Sequence, residues 1–307
     1  MKNSINYYYG IYVNDIIKNA EEYYFYYNNH EYHLVQLNRP YEDIKSLYEL
    51  NLEMIRRNIL VHKIIKNLNN EIVTVINEKM YLLLELCDYK NEKVLINDIK
   101  YYQNFTINIK YKKDLLRNNW INMWCDKIDY YEYQISELGN KYTILCDSLS
   151  YYIGLGENAI SYLKNNITNE NIDYVVSHKR IRIEDGSFEF YNPINFIIDN
   201  RVRDIAEYIK NSFFYEKIDL YEIKLYLDNI NFKRIEYILL FSRLLFPSYY
   251  FDVYDEIINN NLEEEKIIRI IEKNQSYEEL LIEIYNYITK EKNIFIEPID
   301  WLYNRYL

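Results

Sequence analysis

The sequence predicts an α+β protein with a small β-rich N-terminal lobe over residues 1–88 and a larger, mainly helical lobe over 89–307. Three observations predict it. Aromatic and β-branched runs separated by Asn-rich breaks fill the first part of the chain. Beyond Lys113, apolar residues recur at threes and fours. One strand-like segment, 174–198, interrupts the helical part.

The elements follow in order. Residues 22–27 and 31–37 read as strands joined at Asn28-Asn29-His30. Asn38 is expected to cap a helix with Pro40 in its first turn. Ile44, Leu47, Tyr48, Leu52 and Ile55 give that helix its apolar stripe. Residues 61–66, 72–76 and 80–86 read as three more strands, with Asn69-Asn70 and Asn77-Glu78 as turns. The polar stretch 88–92 reads as a linker. Trp120, Trp124, Ile128, Tyr131 and Ile135 form the inward stripe of a long helix, and a second helix is expected over 155–164. In 174–198, Glu184-Asp185-Gly186 lies between Arg182-Ile183 and Phe188–Phe190, which predicts a hairpin. Helices at roughly 201–213, 219–228, 231–245, 254–273 and 276–289 complete the chain. Within them 263–272, EEEKIIRIIE, mixes charges as a solvated helix face does.

Composition narrows the function. The chain has 307 residues, 36 Lys+Arg and 47 Asp+Glu, a net charge of −11. That balance disfavours nucleic acid as a partner. No apolar run has the length of a membrane span, and MKNSINYYYG lacks the apolar core of a secretory signal, so a cytoplasmic location is expected. Cys87, Cys125 and Cys146 form no metal-ligand spacing, and neither do His30, His33, His62 and His178. With five glycines, of which only Gly154 and Gly156 are close, no phosphate-cradling loop can be written. The 38 tyrosines are expected at half-buried positions, hydroxyl toward water.

The stretches YYIGLGENAISYL (151–163), FYNPINFIIDNRVRDIAEYIK (190–210) and LLFSRLLFPSYYFD (239–252), in this order of strands and helices, resemble the bacterial spore-coat kinase-like proteins of the CotS and YutH type. These belong with the aminoglycoside phosphotransferase and choline kinase group of the protein-kinase-like fold. The resemblance implies four chemical parts: a strand Lys paired with a helix Glu, a catalytic Asp in H-x-D, an Asn five residues on, and a metal-binding Asp. It places Gln36 where the Lys belongs, and Glu49 or Glu53 as the helix carboxylate. With Gln36 and Glu53, the resemblance puts Glu85 and Cys87 in a degenerate nucleotide cleft. His178-Lys179-Arg180 stands at H-x-D, so Arg180 replaces the catalytic Asp, and His178 reads as a packed structural residue. Asp204-Ile205-Ala206 matches the helix start that follows the metal site, which puts Asn192 at the metal position, and Asn is a weaker Mg²⁺ ligand than a carboxylate. A second alignment gives that position to Asp199, through Ile197-Ile198-Asp199. Arg180, Arg182, Arg201 and Arg203 with Lys179 are read as pairing with Glu184, Asp185 and Glu207, or as contacting an anion.

The resemblance thus implies a pseudokinase: a binding or scaffold module with a protein partner or a small-molecule or anionic ligand, no cofactor, no metal, and a place in the spore coat. The alternative it leaves is an active small-molecule phosphotransferase that uses ATP and Mg through Asp199 with Asp185 or Glu184.

Overall fold

The computed structural model describes every residue except 20–21, 38, 90, 139–140, 168–169, 183–185, 217, 261 and 307, and the side chain of Tyr306. In chain order the elements are α1 (Lys2–Tyr9), β1 (Ile17–Asn19), β2 (Glu22–Tyr27), β3 (His30–Gln36), α2 (Tyr41–Arg56), β4 (Lys63–Ile65), β5 (Thr74–Ile76), β6 (Lys79–Glu85) and α3 (Ile96–Phe105). Then come α4 (Trp120–Leu138), α5 (Thr143–Asn166), β7 (Tyr174–His178), α6 (Gly186–Tyr191), β8 (Phe196–Asn200), α7 (Val202–Tyr215), α8 (Leu220–Asp228) and α9 (Arg234–Leu245). The chain continues through α10 (Ser248–Asn260), α11 (Ile268–Ile271), α12 (Asn274–Asn286) and α13 (Asp300–Tyr306). Packing divides the chain into two compact units. The first holds Met1–Leu116, Tyr174–Arg180 and Glu184–Asp199; the second holds Arg117–Asp173, Ile181–Ile183 and Asn200–Leu307.

In the first unit an antiparallel sheet runs β1-β2-β3-β6-β4, with β5 also paired to β6. Two of its hairpins share one local solution. Asn28 and Asn29 have φ 50° and 64°, and Asn77 and Glu78 have φ 50° and 64°. Two successive positive φ values match the twist of the flanking strands, and Asn tolerates them best among residues with a side chain. The sheet packs Phe25, Leu34 and Leu83 against Ile5 and Tyr9 of α1, a helix the sequence reading did not anticipate.

The apolar stripe of α2 begins as expected, with Ile44 and Leu47, and then departs from the expected residues. Ile44, Leu47, Leu50, Asn51 and Met54 are buried, whereas Tyr48, Leu52 and Ile55 are half-buried. Asn51 is the reason a polar residue belongs there: it donates to the His62 carbonyl at 2.8 Å and accepts from Ile64 N at 3.0 Å, pinning β4 to the helix. Asn38, the expected cap, lies outside the described residues, and Pro40 precedes the first helical residue. Beyond the stretch read as a linker, α3 brings Tyr102 into the core, a helix the sequence reading also missed.

The expected hairpin at 182–190 is not formed. Phe188–Phe190 lies in α6, and the turn residues Glu184 and Asp185 fall outside the described residues. The strand that accompanies β7 is β8.

The second unit is built on long helices. Gly156 of α5 allows close approach to α4: a Cβ there would come within 2.5 Å of Ile128 Cδ1. Trp120, Trp124, Ile128 and Tyr131 are buried as the periodicity predicts, while Ile135 is half-buried. The expected helix 254–273 is two helices, α10 and α11, with a 3₁₀ turn at Glu264–Ile267. Inside 263–272, Ile267 and Ile270 are wholly buried, so this segment is not solvated throughout.

Many tyrosines are core residues rather than half-exposed ones. Tyr131, Tyr152 and Tyr250 are under 2% exposed. Their hydroxyls reach Asp255, Asn274 and Ser148 at 2.8, 2.7 and 2.8 Å. A buried ring is favourable when its hydroxyl finds such a partner.

Candidate functional site

The site begins at the end of β6. Cys87 N donates to Nδ1 of His62 at 3.2 Å, and the Cys87 thiol lies 3.3 Å from the same nitrogen. Nδ1 is therefore the acceptor, which leaves Nε2 as the donor to the Phe188 carbonyl at 3.1 Å. Burial, against the raising effect of the Phe188 carbonyl, pushes the imidazole pKa down to about 3, so the ring is neutral at pH 7. Burial also pushes the Cys87 thiol up to about 12, which makes it a poor nucleophile.

Phe188 stacks on two imidazoles, His33 at 4.5 Å and His62 at 5.0 Å between centroids. Tyr89 stacks on Tyr191 at 5.8 Å, and the Tyr191 hydroxyl donates to Asp98 at 3.0 Å. His178 stacks on Phe190 at 4.3 Å, and its Nε2 meets the Phe190 carbonyl at 2.8 Å. It is a packed residue, 1% exposed.

These contacts explain α6. The last four carbonyls of a helix have no partner within it. Here the Phe188 carbonyl takes His62 Nε2, that of Glu189 takes Asn195 Nδ2, that of Phe190 takes His178 Nε2, and that of Tyr191 takes the His62 amide. With all four satisfied from other segments, a helix forms where the Asp-Gly signal had pointed to a hairpin.

The remaining positions named from the sequence are scattered over these elements. Gln36 lies opposite Tyr81 in the β3–β6 ladder, and its Oε1 is buried without a hydrogen bond. Glu53 bonds Arg57 at 2.9 Å and lies 3.5 Å from Arg56; the Arg57 hydrogen bond, outweighing desolvation, holds its carboxyl below the usual range. Glu49 pairs with Lys112 at 3.2 Å. Both carboxylates line one groove of 410 Å³ with Arg56, Lys110, Tyr111 and Lys112. Glu85 receives the Tyr32 hydroxyl at 3.3 Å and lies 3.8 Å from Lys63. Asn192 caps a 3₁₀ turn, accepting from Ile194 N at 3.1 Å and donating to Glu189 at 3.2 Å. Asp199 is wholly buried near the end of β8. Arg180 approaches the Lys179 carbonyl at 3.4 Å. Asp185 lies outside the described residues.

The expected pairings with Glu184 and Asp185 lie outside the described residues, and that of Arg203 with Glu207 is present as a charge interaction. Arg201 bonds Glu236 at 2.5 and 2.6 Å, and Arg182 lies 3.5 Å from Glu256. Glu207 serves Lys210 and Arg243, with Arg203 acting on it through charge. Asp204 is buried in the first turn of α7.

Sequence reasoning missed Arg39. Its buried guanidinium bonds Asp43 at 2.8 Å and the carbonyls of Ile194 and Phe196 at 2.9 and 2.8 Å, tying the start of α2 to the segment before β8. It also missed His62 and Phe188, whose contact joins segments 126 positions apart, and Asn195, which bonds Glu189 six positions back across the end of α6. Among the described residues no group of three or more His, Cys, Asp or Glu is placed to hold a metal ion, and no helix is long and apolar enough to cross a membrane.

Known proteins share this architecture. Spectinomycin phosphotransferase APH(9)-Ia in an AMP-bound complex aligns over 92% of this chain and 96% of its own, with a TM-score of 0.62 and 13% identity. An aminoglycoside phosphotransferase from Alicyclobacillus acidocaldarius aligns over 91% and 94%, with a TM-score of 0.60 and 9% identity. At such identities the likeness establishes the fold, which is kinase-like, with a small antiparallel sheet and a mainly helical remainder. In sequence, the endospore coat-associated protein YutH of Bacillus subtilis (strain 168) is 25% identical over 175 residues, 52% of each chain. The chain thus matches about half the length of that curated relative. The family model described as spore coat putative kinase YutH matches residues 2–284, and the chain belongs to that family.

Proposed function

We propose that this protein works without phosphoryl transfer, as a kinase-like binding or scaffold module associated with the spore coat. The observation that carries this reading is the engaged Cys87 amide. The resemblance puts Cys87 in the nucleotide cleft, where an open backbone N–H would be a donor for a ligand. Here it is given to His62, a neutral imidazole whose other nitrogen is fixed on Phe188. Gln36 adds to it, because a neutral amide supplies no charge to phosphates. Arg180 reverses the charge at the H-x-D aspartate, and Asn192 is spent on a turn. These residues do not suit a magnesium nucleotide. The relative's description as an endospore coat-associated protein supports the location.

One observation favours a second reading. Asp199 lies near the end of β8, the strand beside β7, whose last residue is His178. A phosphotransferase could place a metal-binding Asp there. The test is phosphate release and transfer from γ-labelled ATP with Mg²⁺, comparing the protein with Asp199→Asn. The expected result is background turnover, equal in both. Turnover above background that Asp199→Asn removes would overturn the proposal in favour of the phosphotransferase.

A further inference from the structure

The clamp on α6 rests on one nitrogen staying unprotonated. Nδ1 of His62 can accept the Cys87 N–H only while it carries no proton of its own. We propose that α6 is an acid-released latch: protonation of His62 detaches the Phe188–Tyr191 turn and frees the half-buried Cys87 thiol from the imidazole that engages it, while the rest of the fold stays intact.

The geometry gives the mechanism. A proton on Nδ1 would turn an acceptor into a donor facing the donor of Cys87, so both the amide contact and the ring position become unfavourable. The same ring holds the Phe188 carbonyl through Nε2, and the His62 backbone holds the Tyr191 carbonyl. Moving His62 therefore releases two of the four carbonyls that sustain this short helix. His62 is wholly buried, so the new charge would have no water to solvate it.

The groups facing His62 offer that charge little help. From β3 comes His33, which already bonds Glu31 at 2.9 Å and lies 3.9 Å from Glu22; those carboxylates, outweighing burial, raise its own pKa. It contributes repulsion as acid is added. From the end of β6 comes the Cys87 thiol, neutral, with Asp88 beyond it. From the following segment and α6 come the rings of Tyr89 and Tyr191, at 5.7 and 6.3 Å, both held neutral by burial first. Asp98 is engaged by the Tyr191 hydroxyl. Asn51 of α2 meets only the His62 carbonyl.

The direction of the pH effect follows. The folded imidazole pKa, about 3, lies below the ordinary 6.5. The latch is at full strength above about pH 6.5 and weakens as pH falls toward 3, tenfold in the closed-to-open ratio per unit. This inference does not rest on the absence of catalysis.

The experiment uses the full chain carrying Cys125→Ser and Cys146→Ser, which leaves Cys87 as its single thiol. Its reaction with 4,4′-dithiodipyridine, which is fast in acid, is followed from pH 7.5 to 4.5. Each rate is divided by that of N-acetylcysteine at the same pH. The expected ratio rises about 50-fold between pH 6.5 and 4.5 with far-UV circular dichroism unchanged. His62→Gln, which keeps an acceptor and a donor but does not titrate, is expected to flatten the profile. A flat profile in the parent, an equally steep one in His62→Gln, or loss of helical signal in step with thiol reactivity would each overturn the latch. Should His62→Gln fail to fold, imidazole ¹⁵N shifts of the parent decide. They should keep the Nε2-protonated neutral form at pH 5.5, and a His62 that titrates near 6.5 with the Phe188 amide unmoved would contradict the proposal.

Discussion

Glu207→Ala is expected to destabilise the protein by about 3–5 kcal/mol, measured by urea unfolding, because it removes the carboxylate that lies between two buried cations. Glu207 Oε1 accepts from Lys210 Nζ at 2.8 Å and from Arg243 Nε at 2.9 Å, while Oε2 accepts from Ser248 at 3.0 Å. All four residues are buried. Burial alone would push the Glu207 carboxyl up; the charges of Lys210 and Arg243 outweigh it and hold the pKa well below the usual range. Its contribution is therefore present above about pH 4.5 and is lost as pH falls below that. Burial pushes Lys210, in spite of Glu207, down to about 8. Lys210→Met should cost less than Glu207→Ala, since Arg243 still faces the carboxylate and the methionine fills the stem. An equal or larger loss in Lys210→Met, or less than about 1 kcal/mol for Glu207→Ala, would show that the anion is not what organises this core.

Tyr102→Ala is expected to cost about 3–5 kcal/mol, and Tyr102→Phe about 1 kcal/mol. The ring is 1% exposed and lies 5.0, 5.6, 5.7 and 6.0 Å from Phe190, His178, Phe196 and Tyr191. Alanine would leave a cavity that these rings cannot readily close, since His178 and Tyr191 are held by hydrogen bonds to the Phe190 carbonyl and Asp98. Phenylalanine keeps the packing and loses only the bond to the Leu60 carbonyl, 2.6 Å. Denaturant midpoints with an unchanged slope would report the two costs separately. Similar losses in both variants would mean that the hydrogen bond, not the ring, dominates.

The contrast between these two centres shows what a sequence can reveal. Strands β2, β3 and β6 were legible because aromatic and β-branched runs and the Asn-containing turns between them act between neighbours in the chain. The stripe of α4 was legible for the same reason, as Trp120, Trp124, Ile128 and Tyr131 repeat within one helix. The short helix α6 was not. Locally, Asp185-Gly186 favours a hairpin. Its carbonyls are instead satisfied by His62, His178 and Asn195, of which His62 is over 120 positions away in the chain. The face of α2 was misjudged because Asn51 looks polar until its bonds to β4 are seen. Arg39 was passed over in the sequence, yet it is 4% exposed and holds carbonyls 155 and 157 positions on. The likeness to kinase-like proteins was carried by short motifs and element order. The roles of individual positions depend on chemistry that such motifs only outline.

The proposed function requires that the kinase-like fold of this chain does not engage a magnesium nucleotide. Its most direct test is thermal unfolding at pH 7.5 with and without millimolar ATP and Mg²⁺. A ligand present at 100 times its Kd would stabilise the folded state by about 2.7 kcal/mol, an easily resolved rise in Tm. The account predicts no Mg-dependent rise. A clear rise that requires both ATP and Mg²⁺, and that Asp199→Asn removes, would contradict it.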